Sequence, residues 1–147
     1  MSTELRIRRL TDGDGAAWRK LWHAYLRFYR QQLPEDVTAR TLEQLLAPDG
    51  EIRGFVAEFE DRLVGFANYL FHGSSWFKSP VCYLEDLYVD TQVRGRGAGR
   101  ALIRAVFEEA DARGAGTVYW MTQEFNADAR ALYDTLAHRT SFIRYER

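Results

Sequence analysis

The sequence predicts an α/β protein in which a mixed β-sheet is flanked by helices. Short apolar runs with period-two alternation indicate strands, and longer segments with apolar residues at helical spacing indicate helices. Between residues 83 and 122, a strand pattern, a helix pattern and a second strand pattern follow one another, which predicts a right-handed crossover between parallel strands. At 147 residues, we expect a single domain spanning 1–147.

The first half of the chain predicts one strand, two helices and a hairpin. Aromatic residues from Trp18 to Tyr29 recur at spacings of four, three and four, which is typical of one helix face. Pro34 separates this helix from the next, and Glu60-Asp61 is the expected hairpin turn. The predicted elements are a strand at 5–10, helices at 16–32 and 37–46, and antiparallel strands at 52–60 and 62–71.

The second half predicts three strands alternating with two helices. A strand beginning at Tyr83 ends at Asp90-Thr91, and a glycine-rich turn leads into a helix that Gly114 and Gly116 end. The remaining elements are a strand at 117–122, a helix at 126–136 and a final strand at 140–145. The full order is β-α-α-β-β-β-α-β-α-β.

The turn between the central strand and its helix is suited to binding an anion. Gly95, Gly97 and Gly99 alternate with arginines, and glycine lets backbone N–H groups face a ligand without a Cβ in the way. The helix N-terminus adds unpaired donors and a partial positive charge. A dinucleotide fingerprint is not met, because its third glycine would fall where Arg100 stands, and the Lys-Ser/Thr of a triphosphate loop is absent. A glycine-rich turn without a ligand is the alternative.

The residues in order resemble a known family. The stretch 92–97, Gln-Val-Arg-Gly-Arg-Gly, is similar to the Gln/Arg-x-x-Gly-x-Gly/Ala loop by which the GNAT superfamily of N-acetyltransferases holds acetyl-coenzyme A. Residues 65–69 and 83–86 look like the spermidine/spermine (diamine) acetyltransferase branch. Asn126 and the Ala-Leu-Tyr run ending at Tyr133 resemble the second cofactor motif. The resemblance implies a GNAT fold, with six to seven strands and about four helices, and acetyl-coenzyme A as co-substrate without a metal.

The same resemblance implies the residues that bind the co-substrate. A backbone N–H of Leu87 or Tyr88 would polarise the thioester carbonyl, and Asn126 would contact the pantetheine arm, although a helix N-cap is an equally good use of an asparagine there. The implied cofactor-binding residues are Leu87, Tyr88, Val89, Gln92, Val93, Arg94, Gly95, Arg96, Gly97, Ala98, Gly99, Arg100, Asn126 and Tyr133.

Two residues are the expected catalysts. Glu85 would take a proton from the acceptor amine, and Tyr133, two helical turns beyond Asn126, would protonate the departing sulfur. The alternatives are a salt-bridged strand carboxylate and an aromatic core residue. Relatives often carry Gly-Phe shortly after this tyrosine, whereas residues 137–139 here are Ala-His-Arg.

The expected acceptor is a primary amine, such as a polyamine or diamine, an amino acid or a lysine side chain. Its candidate binding residues are Tyr25, Tyr29, Glu85 and Asp86, and we expect the two adjacent carboxylates to point to opposite faces of their strand. For the tyrosines, core packing is the alternative. His23 and His72 are reserve candidates for the base, and His138 is expected at the surface.

Composition limits the other classes of function. The net charge of −1 does not favour nucleic-acid binding, and three scattered histidines predict no metal site. The single cysteine, Cys82, is expected to be a buried apolar residue in a reducing compartment, and no membrane segment or signal peptide is expected, so a cytoplasmic location is the default. A homodimer is expected from the open sheet edges. The rival hypotheses are a non-catalytic acyl-coenzyme A binding or sensing module and a nucleotide-dependent enzyme.

Overall fold

The computed structural model describes residues 4–147 and has the predicted mixed α/β architecture. Within that range, four α-helices and five strands follow in the predicted order as far as the last helix. Two short 3₁₀ turns, at Asp12–Asp14 and Thr91–Val93, precede α1 and α3. The elements are β1 Arg6–Arg9, α1 Gly15–Phe28, α2 Glu35–Leu46, β2 Arg53–Phe59, β3 Arg62–His72, β4 Val81–Val89, α3 Ala98–Ala112, β5 Val118–Tyr119 and α4 Ala127–Leu136.

The five strands form one sheet in the order β1-β2-β3-β4-β5. The first four are antiparallel to their neighbours, and β5 is parallel to β4, as the crossover through α3 predicts. The hairpin between β2 and β3 turns at Glu60 and Asp61, which both have positive φ, as a two-residue turn of the I′ type requires.

Helices cover both faces of the sheet. On the α1 side, Trp18 and Trp22 stack with ring centroids 5.2 Å apart and pack on Phe66 of β3. On the other side, α3 buries Leu102 and Val106 against alternate residues of the central strands. The sheet therefore lies between two apolar layers, and β4 contributes polar residues to it.

Helix α1 ends at Phe28, four residues before the predicted end at 32. Arg30 adopts a left-handed conformation, and the N–H of Gln31 bonds back to the carbonyl of Leu26 at 2.9 Å. This bond pattern closes the last turn of a helix. Tyr29 therefore stands at the end of α1, where its ring contacts those of Tyr25 and Phe28, each with centroids 5.1 Å away.

Two strand predictions were wrong. The strand predicted at 117–122 is only two residues long, and residues 140–145 form no strand. Phe142 and Ile143 are instead about three-quarters exposed, at 77% and 76%. A β-favouring segment forms a strand only where a neighbouring edge accepts its hydrogen bonds, and β5 offers a very short edge. The sheet thus has five strands among the described residues, fewer than the six to seven expected.

Among residues 4–147, the longest helices are too short and too polar to cross a lipid bilayer.

Candidate active site

The turn between β4 and α3 is built as an open cradle of backbone N–H groups. Asp90 caps it, since its carboxylate accepts from the N–H of Gln92 at 3.0 Å, and buried Val93 anchors it to the core. Gly95 and Gly97 have φ of +88° and +84°, and a Cβ at either position would meet nothing within 4 Å. The positive φ, and not crowding, therefore requires glycine here.

The first turn of α3 supplies the donors of this cradle. The first hydrogen bond at the start of α3 runs from the N–H of Ala101 to the carbonyl of Gly97, at 3.0 Å. The N–H groups of residues 98–100 precede that bond, so they have no helical acceptor. They lie beside the two left-handed glycines at the positive end of the helix dipole, an arrangement that favours a bound anion.

The three arginines of the turn are held by contacts within the protein. These contacts fix their positions around the cradle without neutralising them, because none of the three is paired with a carboxylate in the part of the chain described. The contacts are Arg94 over the ring of Phe28 at 5.9 Å, Arg96 over the ring of Phe59 at 5.1 Å, and Arg100 Nη2 to the hydroxyl of Thr135 at 2.9 Å.

An opening in the sheet leads away from the cradle. Strands β4 and β5 pair only at Cys82–Val118 and Tyr83–Tyr119, whereas β4 continues to Val89. Beyond Tyr83, one edge of β4 therefore lacks a neighbouring strand. This open edge ends at the cradle, so a ligand held at the turn can lie along β4.

The hydrogen-bond pattern identifies which backbone groups face that opening. The N–H of Asp90 donates to the carbonyl of Val64 at 2.8 Å, towards β3. Residues along an antiparallel strand direct their backbone groups alternately to either side, so Val89 and Leu87 face the open edge while Tyr88 faces β3. Accordingly, Arg94 Nε reaches the Val89 carbonyl from the open side at 3.4 Å. Of the two predicted carbonyl-polarising donors, Leu87 has the correct direction.

A β-bulge changes the expected arrangement of the two carboxylates. Asn68 of β3 pairs with Asp86 and Tyr69 pairs with Leu84, so Glu85 is an extra residue without a partner. Leu84 and Leu87 both pack on the α3 side, three positions apart instead of two. The expectation that Glu85 and Asp86 point to opposite faces is therefore wrong, because strict alternation fails at a bulge.

Asp86 is held by hydrogen bonds from helix α1 and from the neighbouring strand β3. The hydroxyl of Tyr25 donates to Oδ1 at 2.7 Å, and Nδ2 of the fully buried Asn68 donates to Oδ2 at 3.1 Å. Burial raises the pKa of Asp86 above its ordinary value, and the two donors oppose that rise. Burial, followed by the Asp86 charge, also raises the pKa of Tyr25, so its hydroxyl remains a donor.

Glu85 is the carboxylate open to solvent. Partial burial of its carboxyl group and then the charge of Asp86 raise the pKa of Glu85, while Arg144 lowers it. The adjacent carboxylates therefore have different environments: the oxygens of Asp86 are occupied by Tyr25 and Asn68, whereas Glu85 can receive a cation.

Tyr133 lies on α4 at the other side of the opening. Its ring meets that of Trp120 at 5.5 Å, and burial, with a smaller effect of Tyr29, raises its pKa to about 12. Asn126 is the N-cap of α4 and accepts from the N–H of Ala129 at 3.5 Å. The Asp86 charge in turn raises the pKa of Tyr29, after burial. Tyr29 is thus close to both Asp86 and Tyr133.

Comparison with known proteins identifies the family. The family model described as Acetyltransferase (GNAT) family matches residues 17–137. The chain belongs to the GNAT family. It is 36% identical over 144 residues to the D-amino-acid N-acetyltransferase HPA3 of Saccharomyces cerevisiae (strain ATCC 204508 / S288c), which covers 96% of this chain and 89% of the relative. The protein is therefore an N-acetyltransferase.

Two further similarities agree with this assignment. The thialysine N-epsilon-acetyltransferase of Bos taurus is 33% identical over 93 residues, which are 63% of this chain and 51% of that protein. The aminoglycoside N-acetyltransferase AAC(6')-Iy, solved in complex with CoA, superposes with a TM-score of 0.83 at 22% identity over 100% of this chain and 96% of that one. At that identity, the structural match supports the GNAT fold alone.

The structure of this GNAT protein brings most of the predicted site residues to one opening and leaves others apart. His23 and His138 are exposed away from it, and both ring nitrogens of His72 already have partners. Among residues 4–147, no group of histidine, cysteine and carboxylate side chains is arranged to bind a metal. Sequence reasoning missed Asn68, although a lone amide within an apolar strand is a usable signal that a buried partner exists.

Proposed function

We propose that this protein is an acetyl-coenzyme A dependent N-acetyltransferase that transfers the acetyl group directly to a primary amine within a ternary complex. The observation that carries the proposal is the open edge of β4, which runs from Glu85 and Leu87 to the N–H cradle. A thioester held there would reach a backbone donor, a base and an acid at one opening.

The cradle would hold the diphosphate of the co-substrate. Backbone N–H groups at residues 98–100 and the left-handed glycines provide the donors, and the nearby arginines add positive charge. When bound, acetyl-coenzyme A supplies an activated acetyl thioester. The N–H of Leu87, directed into the opening, would donate to the thioester carbonyl oxygen, a contribution of about 10²-fold or more in rate.

Two side chains would move the protons. An alkylamine has a pKa of about 10.4 and arrives mostly protonated, so a carboxylate both attracts it and accepts its proton. Glu85 is open for this role, directly or through a water molecule. Tyr133 would protonate the departing sulfur, because its raised pKa keeps the hydroxyl protonated throughout the working range of an enzyme.

Direct transfer is favoured over an acyl-enzyme. Cys82 is fully buried, and burial raises the pKa of its thiol to about 11, so it is neither accessible nor nucleophilic. The acetyl group would therefore pass from the thioester to the amine without a covalent intermediate on Cys82.

The descriptions of two relatives support amino acids as the acceptors. A relative that matches 144 residues of this chain is described as a D-amino-acid N-acetyltransferase, and another is described as a thialysine N-epsilon-acetyltransferase. The exposed carboxylate of Glu85 fits a single ammonium group. Polyamines, diamines and lysine side chains remain the other members of the acceptor panel.

The test is thiol release from acetyl-coenzyme A with a panel of amines, with products identified by mass spectrometry. A ternary complex predicts intersecting lines when both substrates are varied, and parallel lines would refute direct transfer. Calorimetry with coenzyme A and with nucleotides tests the two rival hypotheses. Tight binding without acetylation of any amine would favour a sensing module, and tighter binding of a dinucleotide or triphosphate would favour a nucleotide-dependent enzyme.

We also propose that the chain is a single folding unit and forms a homodimer. The exposed apolar residues Phe142 and Ile143 lie in a segment without a strand partner, and such surfaces associate in water. Light scattering after size-exclusion chromatography should give twice the chain mass. The Phe142→Ser variant should shift that mass towards the monomer, and a wild-type monomer would refute the proposal.

A further inference from the structure

Two tyrosines form a stacked pair where the pairing of β4 and β5 ends. Tyr83 and Tyr119 are register partners, their ring centroids are 4.8 Å apart, and their planes differ by 14°. The neighbours of Tyr83, Cys82 and Leu84, face the α3 side, so the Tyr83 side chain lies on the opposite face of the sheet. The pair therefore shares the face on which Asp86 meets α1.

His72 fixes this pair in place. Its Nδ1 lies 2.7 Å from the carbonyl of Gly73, and its Nε2 lies 2.7 Å from the hydroxyl of Tyr119. Because a carbonyl can only accept, Nδ1 carries a proton and donates to Gly73, and Nε2 pairs with the hydroxyl of Tyr119. The rings of His72 and Tyr119 also meet edge-on at 5.8 Å. Tyr119 remains 37% exposed, so an ordered aromatic surface faces solvent.

This surface, which we call the tyrosine platform (Tyr83, Tyr119 and the supporting His72), lies beside Glu85. Tyr83 is two residues before Glu85 on β4. After burial, the Glu85 charge raises the pKa of Tyr83, and Cys82 and then Glu85 raise the pKa of Tyr119. Arg144 is close enough to lower the pKa of Glu85 and of Tyr83. An ammonium at Glu85 would therefore place its substituent beside the aromatic rings.

We propose that the tyrosine platform binds the body of the acceptor and selects amines that carry an apolar or aromatic group next to the reacting ammonium. The inference rests on the proposed function, since it takes Glu85 as the group that receives the ammonium. Because the two rings stack on each other, a flat or aliphatic substituent would contact the exposed part of Tyr119 and the edges of the rings.

The test compares phenylalanine with glycine, two acceptors that differ only in the side chain the platform would contact. We expect wild type to prefer phenylalanine in kcat/KM. Tyr119→Ala should lower the phenylalanine-to-glycine ratio about three- to tenfold through KM, as expected for one aromatic contact. The KM for acetyl-coenzyme A should not change. Tyr119→Phe and His72→Ala keep the aromatic ring at position 119 but remove its hydrogen bond to His72. They should therefore lower the ratio less than Tyr119→Ala.

The control is Tyr145→Ala, which removes an exposed tyrosine outside the platform and should leave the ratio unchanged. Thermal melting identifies unfolding of Tyr119→Ala. If that variant unfolds, Tyr119→Leu, which keeps apolar volume but removes the aromatic ring, decides the matter and should also lower the ratio. Equal losses for both acceptors, or an unchanged ratio, would overturn the platform while leaving the proposed function in place. A wild-type protein that acetylates no amine would overturn both.

Discussion

Replacing Tyr133 by phenylalanine tests the acid in the proposed reaction with a single-atom change. The substitution removes the hydroxyl and keeps the ring that contacts Trp120 at 5.5 Å. Burial raises the pKa of Tyr133 to about 12, from an ordinary value of 10.0. At pH 8, the ionised fraction therefore falls from about one in a hundred to about one in ten thousand, so the hydroxyl is a proton donor at any usable pH.

The expected loss is about 10²- to 10⁴-fold in kcat, the usual contribution of a positioned acid. The affinity for coenzyme A should be unchanged, because the cradle at residues 90–100 does not depend on the hydroxyl. Since the pKa is raised, the wild-type kcat should show no alkaline decline from this residue up to about pH 10.

The assay is thiol release under saturating substrates, with coenzyme A affinity measured by calorimetry and folding by thermal melting. Tyr145→Phe, at an exposed position, is the matched control. A kcat within about threefold of wild type would refute the acid assignment. A loss accompanied by a lowered melting temperature would instead assign Tyr133 a packing role.

Three further predictions follow from the same geometry. Glu85→Gln should lower kcat/KM at least tenfold and remove the acid limb of its pH profile. Burial and the neighbouring Asp86 raise the pKa of Glu85 above the ordinary value of 4.5, so the wild-type limb should lie above pH 4.5. Gly97→Ala should raise the KM for acetyl-coenzyme A and destabilise the fold by about 1 kcal/mol, because its φ is positive, while Gly13→Ala should do neither. The hydrogen bond from Arg8 lowers the pKa of Asp14 from 3.8 to about 2. The ionised carboxylate therefore stabilises the fold above pH 4, and this stabilisation is lost as the pH falls towards 2. Asp14→Asn should therefore cost about 2 kcal/mol in urea unfolding at pH 7, a difference that disappears near pH 2.

Local chemistry made the cradle predictable. The glycines at positions 95 and 97 were expected to let backbone N–H groups face an anion; the structure adds that both have positive φ. A strand, a turn and a helix start are contiguous in sequence, so no distant residue is needed to define them. The same holds for Asn126, which caps its helix through a bond to a residue three positions away.

Longer-range features were not predictable in the same way. Alternation predicts opposite faces for Glu85 and Asp86, but a bulge depends on how two strands align, and the register between β3 and β4 is a property of both. The predicted strand at 140–145 has the correct residue types and lacks an edge of sufficient length, since β5 has only two residues. His72 was expected only as a reserve base, whereas a contact across 47 positions makes it a support for Tyr119.

The sequence by itself determined the order of elements through the last helix, the cradle and the residue types available for acid–base chemistry, because each depends on neighbours within a few positions. Only the tertiary structure decided which carboxylate is open, which backbone amide faces the opening and which tyrosines form the platform. These depend on strand register and on where pairing stops. Both are set by hydrogen bonds between segments far apart in the chain, whose partners a local pattern does not specify.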